Sequence, residues 1–263
     1  MSLACLDGTV MPVAEASISV TDEGLLRGDG AFEVLRLYGG RPFALDEHLA
    51  RMGRSAANLR LPLDPEAVRA DVGLLLDEAA PGDALLRLVA TRGGRRIALL
   101  EELPQRASSI ALASVTYAPT RILDGVKSLS YAANMLATRL AKEADADEAL
   151  LVTPHGRVLE GPTSSFFWVR DGELLTPPLD DHVLASITRR LVLEETDARE
   201  ASCTLEDVAG AEEAFLASTV REVQAVSAID GRSIPVGGPL TALAAERVRA
   251  RVRAAVGPPE PVG

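Results

Sequence analysis

Lysine is nearly absent from this chain. Of 27 basic residues only Lys127 and Lys142 are lysines, and the other 25 are arginines. A guanidinium is always charged, whereas an amine can be desolvated, neutralised and used as a nucleophile. The two lysines that remain are therefore the first candidates for chemistry. Histidine and cysteine are scarce too. His48, His155 and His182 form no His-x-x-x-His pair, and Cys5 and Cys203 show no metal-ligand spacing, so no metal site is expected and both thiols read as free. Aromatic residues make up 3% of the chain, which leaves leucine, valine and alanine to fill the interior. Positive charge is also short. A formal net charge of −11 argues against nucleic acid or an anionic membrane surface as partner and favours small molecules. No apolar run approaches a membrane span, and the opening Met-Ser-Leu-Ala-Cys-Leu-Asp lacks a basic region followed by an apolar one. Cytoplasm is the expected compartment.

What is present is a globular composition, 47% hydrophobic and 25% charged over 263 residues, enough for one large domain or two modest ones. Residues 5–20 alternate like one or two strands around an Asp7-Gly8 turn. Gly28-Asp29-Gly30-Ala31-Phe32-Glu33 lacks the third glycine of a nucleotide loop and leads into a strand, Ala31 to Tyr38, followed by a Gly39-Gly40 hairpin. Asp46 is placed to cap a helix running to Leu59, with Leu49, Met52, Ala56 and Leu59 on one face. A helix over 65–80, a strand over 84–91 and a charged loop, Arg92-Gly93-Gly94-Arg95-Arg96, follow. A strand over 109–116 precedes a turn at 117–120 that reads as an inter-domain link. Beyond it come a helix over 132–144, a meander of strands through 148–153, 157–160, 165–170 and 173–176, and a helix over 182–196. A strand at 214–218, a hairpin at 223–236, an amphipathic helix over 240–256 and a loose tail at 257–263 complete the chain.

Lys142 sits among Arg139 and Glu143 and reads as a solvated helix face. Lys127 lies among Val126, Leu129 and Tyr131, where burial would favour the neutral amine. Taken alone, it is as readily a snorkelling lysine at a strand end. The stretch after it supplies what an aldehyde cofactor on a lysine needs. Glu160, at the end of Arg157-Val158-Leu159, offers a carboxylate for a pyridine nitrogen. Leu184 to Arg190 opens a helix whose first amides suit a phosphate.

Gly28 to Glu33, Asp46-Glu47-His48-Leu49-Ala50-Arg51, Lys127-Ser128-Leu129, Leu159-Glu160-Gly161, Ile187-Thr188-Arg189 and Ala217-Ser218-Thr219 occur in one order and spacing. Together, from Ser17 to about Val236, they resemble the class IV, or fold-type IV, pyridoxal-phosphate enzymes. That family includes branched-chain and D-amino acid aminotransferases and aminodeoxychorismate lyases. The resemblance implies an α/β (α+β) chain of two domains: a small N-terminal α/β domain over 1–117, a linker at 118–121, and a larger domain with a barrel-like core over 122–263.

It implies pyridoxal 5′-phosphate as cofactor, with Lys127 carrying the aldehyde and then acting as acid and base, and Glu160 on the ring nitrogen. Leu184 matches the leucine on the ring face. Arg51, Ile187, Thr188, Ser218 and Thr219 would bind the phosphate, although a helix arginine such as Arg51 is more often simply solvated. Phe32 would face the substrate, without the hydroxyl of the tyrosine that some D-amino acid aminotransferases carry there. Arg96 or Arg95 would read the substrate carboxylate, in a loop one residue shorter than the D-amino acid aminotransferase pattern and with no histidine following. Ser165 and Ser186 depart from the usual asparagine and glycine. The activity implied is transfer of an amino group between an amino acid or amine and a 2-oxo acid, in a homodimer. The alternatives are pyruvate elimination from aminodeoxychorismate, favoured by Arg27 before Gly28 and by the run Lys127 to Asn134, and a non-catalytic cofactor-binding protein.

Overall fold

A computed structural model describes residues 3–257, so the tail expected at 257–263 lies outside the described residues except for Gly257. The chain packs as two compact units. Of the described residues, one comprises 3–104, the short segment Val126–Tyr131 and 252–257; the other comprises Gln105–Gly125 and Ala132–Arg251. This differs from the division expected at 118–121. Strand pairing decides it: residues 109–116 are hydrogen-bonded into the second unit's sheet, while the Lys127 segment is bonded onto the first.

The first unit is built on β1 (Leu3–Leu6), β2 (Thr9–Pro12), a short helix α1 (Glu23–Arg27), β3 (Gly30–Tyr38), β4 (Arg41–Pro42), α2 (Leu45–Asn58), α3 (Pro65–Glu78), β5 (Ala84–Thr91) and β6 (Arg96–Glu101). Its sheet is antiparallel in the order β2-β1-β6-β5-β3-β4. Side chains alternate across a strand. Ala31, Leu35 and Leu37 of β3 join Leu86, Leu88, Ala90 and Ala98 against Leu49, Met52 and Ala56 of α2 and Val68, Val72 and Leu75 of α3. Phe32 and Arg87 point to the opposite face.

One expectation is corrected here. The helix expected from Asp46 begins at Leu45, after Ala44 in a left-handed conformation (φ 57°) with no side-chain cap; Asp46 instead pairs with Arg69 at 2.7 Å. Asp46 and Glu47 in the first turn still complement the helix dipole. The stretch before Gly28 is a helical turn, capped by Asp22 through Gly24 N–H and ended by Gly28 at φ 67°. Gly30 has a different reason to be glycine. A Cβ there would fall on the Ala90 carbonyl oxygen and 2.6 Å from Leu129 Cδ1, where the Lys127 segment is laid against β3.

The second unit contains β7 (Ser109–Thr116), α4 (Ala132–Glu143), β8 (Glu148–Val152), β9 (Ser165–Arg170), β10 (Glu173–Thr176), α5 (Ile187–Glu195), β11 (Arg199–Glu200), α6 (Leu205–Ala209), β12 (Glu213–Ser218), β13 (Glu222–Ile229), β14 (Arg232–Ser233) and α7 (Pro239–Val256). The sheet runs β11-β10-β9-β12-β13-β7-β8, with β14 on β13. Its two ends are joined. Residues 157–160 pair with β8 through Leu151 N–H to Glu160 O and Leu159 N–H to Leu151 O, and with the stretch after β11 through Val158 N–H to Cys203 O. This closure is the barrel-like core, filled by Phe166, Trp168, Leu216, Leu112 and Val226. Outside it, Phe167 stacks on Phe215 at 4.8 Å and both pack with Ala244 and Val248 of α7.

The helix expected over 182–196 starts only at Ile187. His182 is left-handed (φ 65°), and Ser186 takes the cap by accepting from Arg189 N–H. Among the described residues no helix is long and apolar enough to cross a membrane.

Candidate active site

In the first unit, Lys127 lies on a strip added to the edge of β3. Phe32 N–H donates to Lys127 O at 3.1 Å and Leu129 N–H to Gly30 O at 2.9 Å. On the other side, Lys127 N–H donates to the buried hydroxyl of Ser55 on α2 at 3.1 Å. The lysine backbone is thus held at both its polar groups. Its half-buried side chain places Nζ 4.4 Å from the Phe32 ring centroid and 5.6 Å from that of Tyr131, and the two rings meet edge to face at 5.1 Å. Lys142, by contrast, is exposed on α4.

Arg51 is not the solvated helix arginine that its residue type most often is. It is buried, and its Nε and Nη2 donate to the two oxygens of Glu33 at 2.7 and 2.6 Å, a bidentate pair. His48 Nδ1 lies 2.8 Å from Glu33 Oε2. Burial by itself would raise the Glu33 carboxyl, but hydrogen bonds from Arg51 and His48 and their charges outweigh it and hold it down to about 2. For His48, burial pushes the imidazole below its ordinary value, against the hydrogen bond and charge of Glu33. With Glu33 ionised and acceptor-only, Nδ1 of His48 carries the hydrogen.

Both shifts make the fold acid-sensitive. A depressed carboxyl contributes stability that is present above about pH 4.3 and lost as pH falls toward about 2, and a depressed imidazole is protonated first in the unfolded chain, so stability begins to fall below about pH 6.5. Urea unfolding at about pH 7.5 and about pH 5 is expected to show a loss in the native chain that His48→Gln largely removes. An equal loss in both proteins would exclude His48 as its source.

Arg95 and Arg96 are engaged by carboxylates of their own unit, Arg95 with Asp7 at 2.6 Å and Arg96 with Asp71 of α3 at 2.8 Å. The arginine beside the Lys127 and Phe32 wall is Arg87, 5.9 Å from the Phe32 centroid and bidentate with Glu101 on the neighbouring strand at 2.7 and 2.9 Å. Its signal in the sequence is a single charge inside the apolar strand Ala84 to Thr91, one that the reading of residues 92–96 passed over.

In the second unit, Glu160 ends the strip that closes the barrel. Its Oε1 accepts Leu184 N–H at 3.0 Å, so the loop carrying Leu184 orients the carboxylate. Burial, and then the Glu160 charge, raise the Tyr117 hydroxyl above its ordinary range. The turn after Glu160 is closed by Gly161 N–H to Ser164 O at 2.8 Å and tied to α4 by Asn134 Nδ2 donating to Pro162 O at 2.9 Å. Ser165, where an asparagine was expected, buries its hydroxyl with no hydrogen-bond partner among the described residues. Ser186 fits without a glycine, because its backbone is extended (φ −71°, ψ 137°) and its side chain caps α5.

Ile187 and Thr188 are therefore the first two residues of α5, both buried. Ser218, at the end of β12, accepts Arg221 N–H at 3.2 Å. Arg221 in turn pairs with the buried Glu148, whose Oε1 lies 3.4 Å from Thr163 Oγ1, so the turn after Ser218 and the turn after Glu160 are fastened through one carboxylate.

The family model of amino-transferase class IV matches residues 30–229. A putative branched-chain-amino-acid aminotransferase of Methanocaldococcus jannaschii is 35% identical, covering 87% of this chain and 88% of its own length. A D-alanine aminotransferase of Bacillus licheniformis is 31% identical, with 89% and 92% covered. The solved structure of a hypothetical aminotransferase from Mycobacterium tuberculosis in its pyridoxal-phosphate-bound form matches with a TM-score of 0.88 at 25% identity, covering 97% of this chain and 99% of that one. The chain belongs to the class IV aminotransferases, and it is a pyridoxal-phosphate-dependent transaminase. Within each unit the residue types suit that cofactor: in the first, an amine against aromatic rings and a buried guanidinium; in the second, a carboxylate oriented by a backbone amide and the start of a helix.

Proposed function

We propose that this transaminase exchanges the amino group of an amino acid for the oxo group of a 2-oxo acid, as a cytoplasmic homodimer, with Lys127 as its catalytic residue. The observation that carries the assignment is the contrast between the two lysines, one clamped at its backbone with Nζ over two aromatic rings, the other exposed on a helix. When bound, pyridoxal phosphate supplies a ring that draws off the electron pair left when the substrate α-carbon loses a proton.

Lys127 Nζ would hold the cofactor and serve as the acid and base that takes up and returns the proton of the substrate α-carbon. Glu160 would keep the ring nitrogen protonated, and Leu184 would pack on the ring face. Arg51, the amides of Ile187 and Thr188, and the hydroxyls of Thr188, Ser218 and Thr219 would bind the phosphate. Phe32 walls the substrate side of Lys127. Arg87 would receive the substrate carboxylate, exchanging its pairing with Glu101 for the ligand; Arg95 and Arg96, engaged likewise by Asp7 and Asp71, stand second because Arg87 is the one beside the Phe32 ring. Val20, Leu25 and Leu26, all well exposed, support a subunit interface.

The test is absorbance of the loaded protein after adding D- and L-amino acids separately, without a 2-oxo acid, with light scattering on the same sample. Conversion to the pyridoxamine form by one enantiomer, in a particle of twice the chain mass, is expected. A spectrum unmoved by every amino acid, with pyruvate released from aminodeoxychorismate, would replace transamination by elimination.

A further inference from the structure

The buried face of α2 should be wholly apolar, and it is not. Leu49, Met52 and Ala56 alternate there with His48, Arg51 and Ser55, three polar side chains at spacings of three and four that share one side of a helix. Glu33, Ser55 and His48 are fully buried and Arg51 nearly so. Burying an ion pair and an imidazole brings no assured gain in stability, since well-packed apolar residues of the same volume often do as well or better. A cluster retained at such a position needs another use, and its connections give one. Glu33 is a β3 residue one step from Phe32, its carboxylate grips both Arg51 and His48, and one turn further along α2 the Ser55 hydroxyl holds the Lys127 amide. One helix face therefore sets the guanidinium and the lysine backbone relative to the same strand.

We infer that Glu33 and His48 are positioning residues for Arg51: they hold its guanidinium in the one orientation in which it meets the cofactor phosphate. This rests on the assignment of Arg51 to the phosphate made above. The geometry favours it over a purely structural salt bridge. A flexible arginine would lose several rotors on meeting a phosphate, whereas a side-on bidentate grip through Nε and Nη2 fixes the plane and rotation of the guanidinium beforehand, which is how preorganisation raises affinity. His48 Nδ1–H fixes Glu33 Oε2 in turn, so the carboxylate cannot rotate away from Arg51. The cluster of Glu33 and Arg51 carries no net charge, so an incoming phosphate is not met by an excess negative group.

The phosphate dependence makes this testable on the apoprotein, by titrating it with pyridoxal 5′-phosphate and with pyridoxal, which lacks the phosphate, and following the absorbance of the lysine-bound form. Glu33→Gln is expected to weaken pyridoxal phosphate on the order of 10-fold, as partners of ligand-binding side chains do at metal sites, and to leave pyridoxal nearly unchanged. Equal weakening of the two ligands, or of neither, would overturn the inference and leave Glu33 a structural residue. Arg51→Gln, titrated alongside, separates the two levels: if it too fails to discriminate between the ligands, the phosphate assignment itself is wrong. Should Glu33→Gln not fold, His48→Gln keeps the Glu33–Arg51 pair and removes only its brace; it is expected to show the same selective weakening to a smaller degree, and Glu33→Asp, which keeps a carboxylate, is expected to weaken pyridoxal phosphate less than Glu33→Gln. Absence of selectivity in His48→Gln would count against the inference as directly.

Discussion

Lys127→Ala is expected to lower transamination by about 10⁴-fold or more, the upper end of what a positioned acid and base contributes. The loss should fall on kcat, because the proposed role of Nζ is to move the proton, while the backbone that places it is held by Ser55 and Phe32 and does not depend on the amine. The variant should therefore fold. Lys142→Ala, on the exposed face of α4, should keep full activity and serves as the control. Lys127→Arg keeps the charge yet should not restore the rate, since a guanidinium neither attaches to an aldehyde nor gives up a proton near neutral pH. Single-turnover kinetics of the three variants check this, and a Lys127→Ala protein within tenfold of the native rate would remove Lys127 from the mechanism.

Glu160→Ala is expected to cost on the order of 10²- to 10³-fold in kcat, the scale of losing one preorganised group that stabilises charge as it develops. The carboxylate is oriented by Leu184 N–H, and the Glu160 carbonyl accepts from Leu151, so the strip at 157–160 stays in place when the side chain is removed. Glu160→Gln keeps the size and a possible contact but cannot hold a proton on the ring nitrogen by charge, and it should lie nearer to alanine than to the native residue. Equal thermal stability with a collapsed kcat is the expected pairing; a loss of stability with an unchanged rate would make Glu160 a structural residue of the barrel closure.

Much of the second unit can be read from the residues. β9 and β10 lie where alternation and the Asp171-Gly172 turn place them, because that turn is a left-handed pair (φ 52° and 71°) that few other residues adopt. The start of α5 is displaced because the apolar pattern runs through Val183 and Leu184 before the helix; the deciding signal is Ser186, a capping residue three before Arg189. Barrel closure is hidden for a different reason. It joins residues 157–160 to 203–204 by backbone bonds, and backbone bonds leave no mark on side-chain pattern.

In the first unit the Glu33 cluster is visible once α2 is laid out at helical spacing, since three polar residues fall on its apolar stripe. What is not visible is that their common partner is a strand glutamate fifteen residues before His48 and eighteen before Arg51. Arg95 and Arg96 illustrate the converse. Charge in a loop draws the eye, but Asp7 and Asp71, far off in sequence, engage both, while Arg87 inside an apolar strand lies beside the Phe32 ring.

The central claim is that Lys127 carries the cofactor. Loading the protein with pyridoxal phosphate, reducing it with borohydride and mapping its peptides by mass tests that claim with little ambiguity, because the chain has only one other lysine. The account predicts the phosphopyridoxyl mass on the peptide containing Lys127 and none on that containing Lys142. A label on Lys142, or none on either, would contradict it.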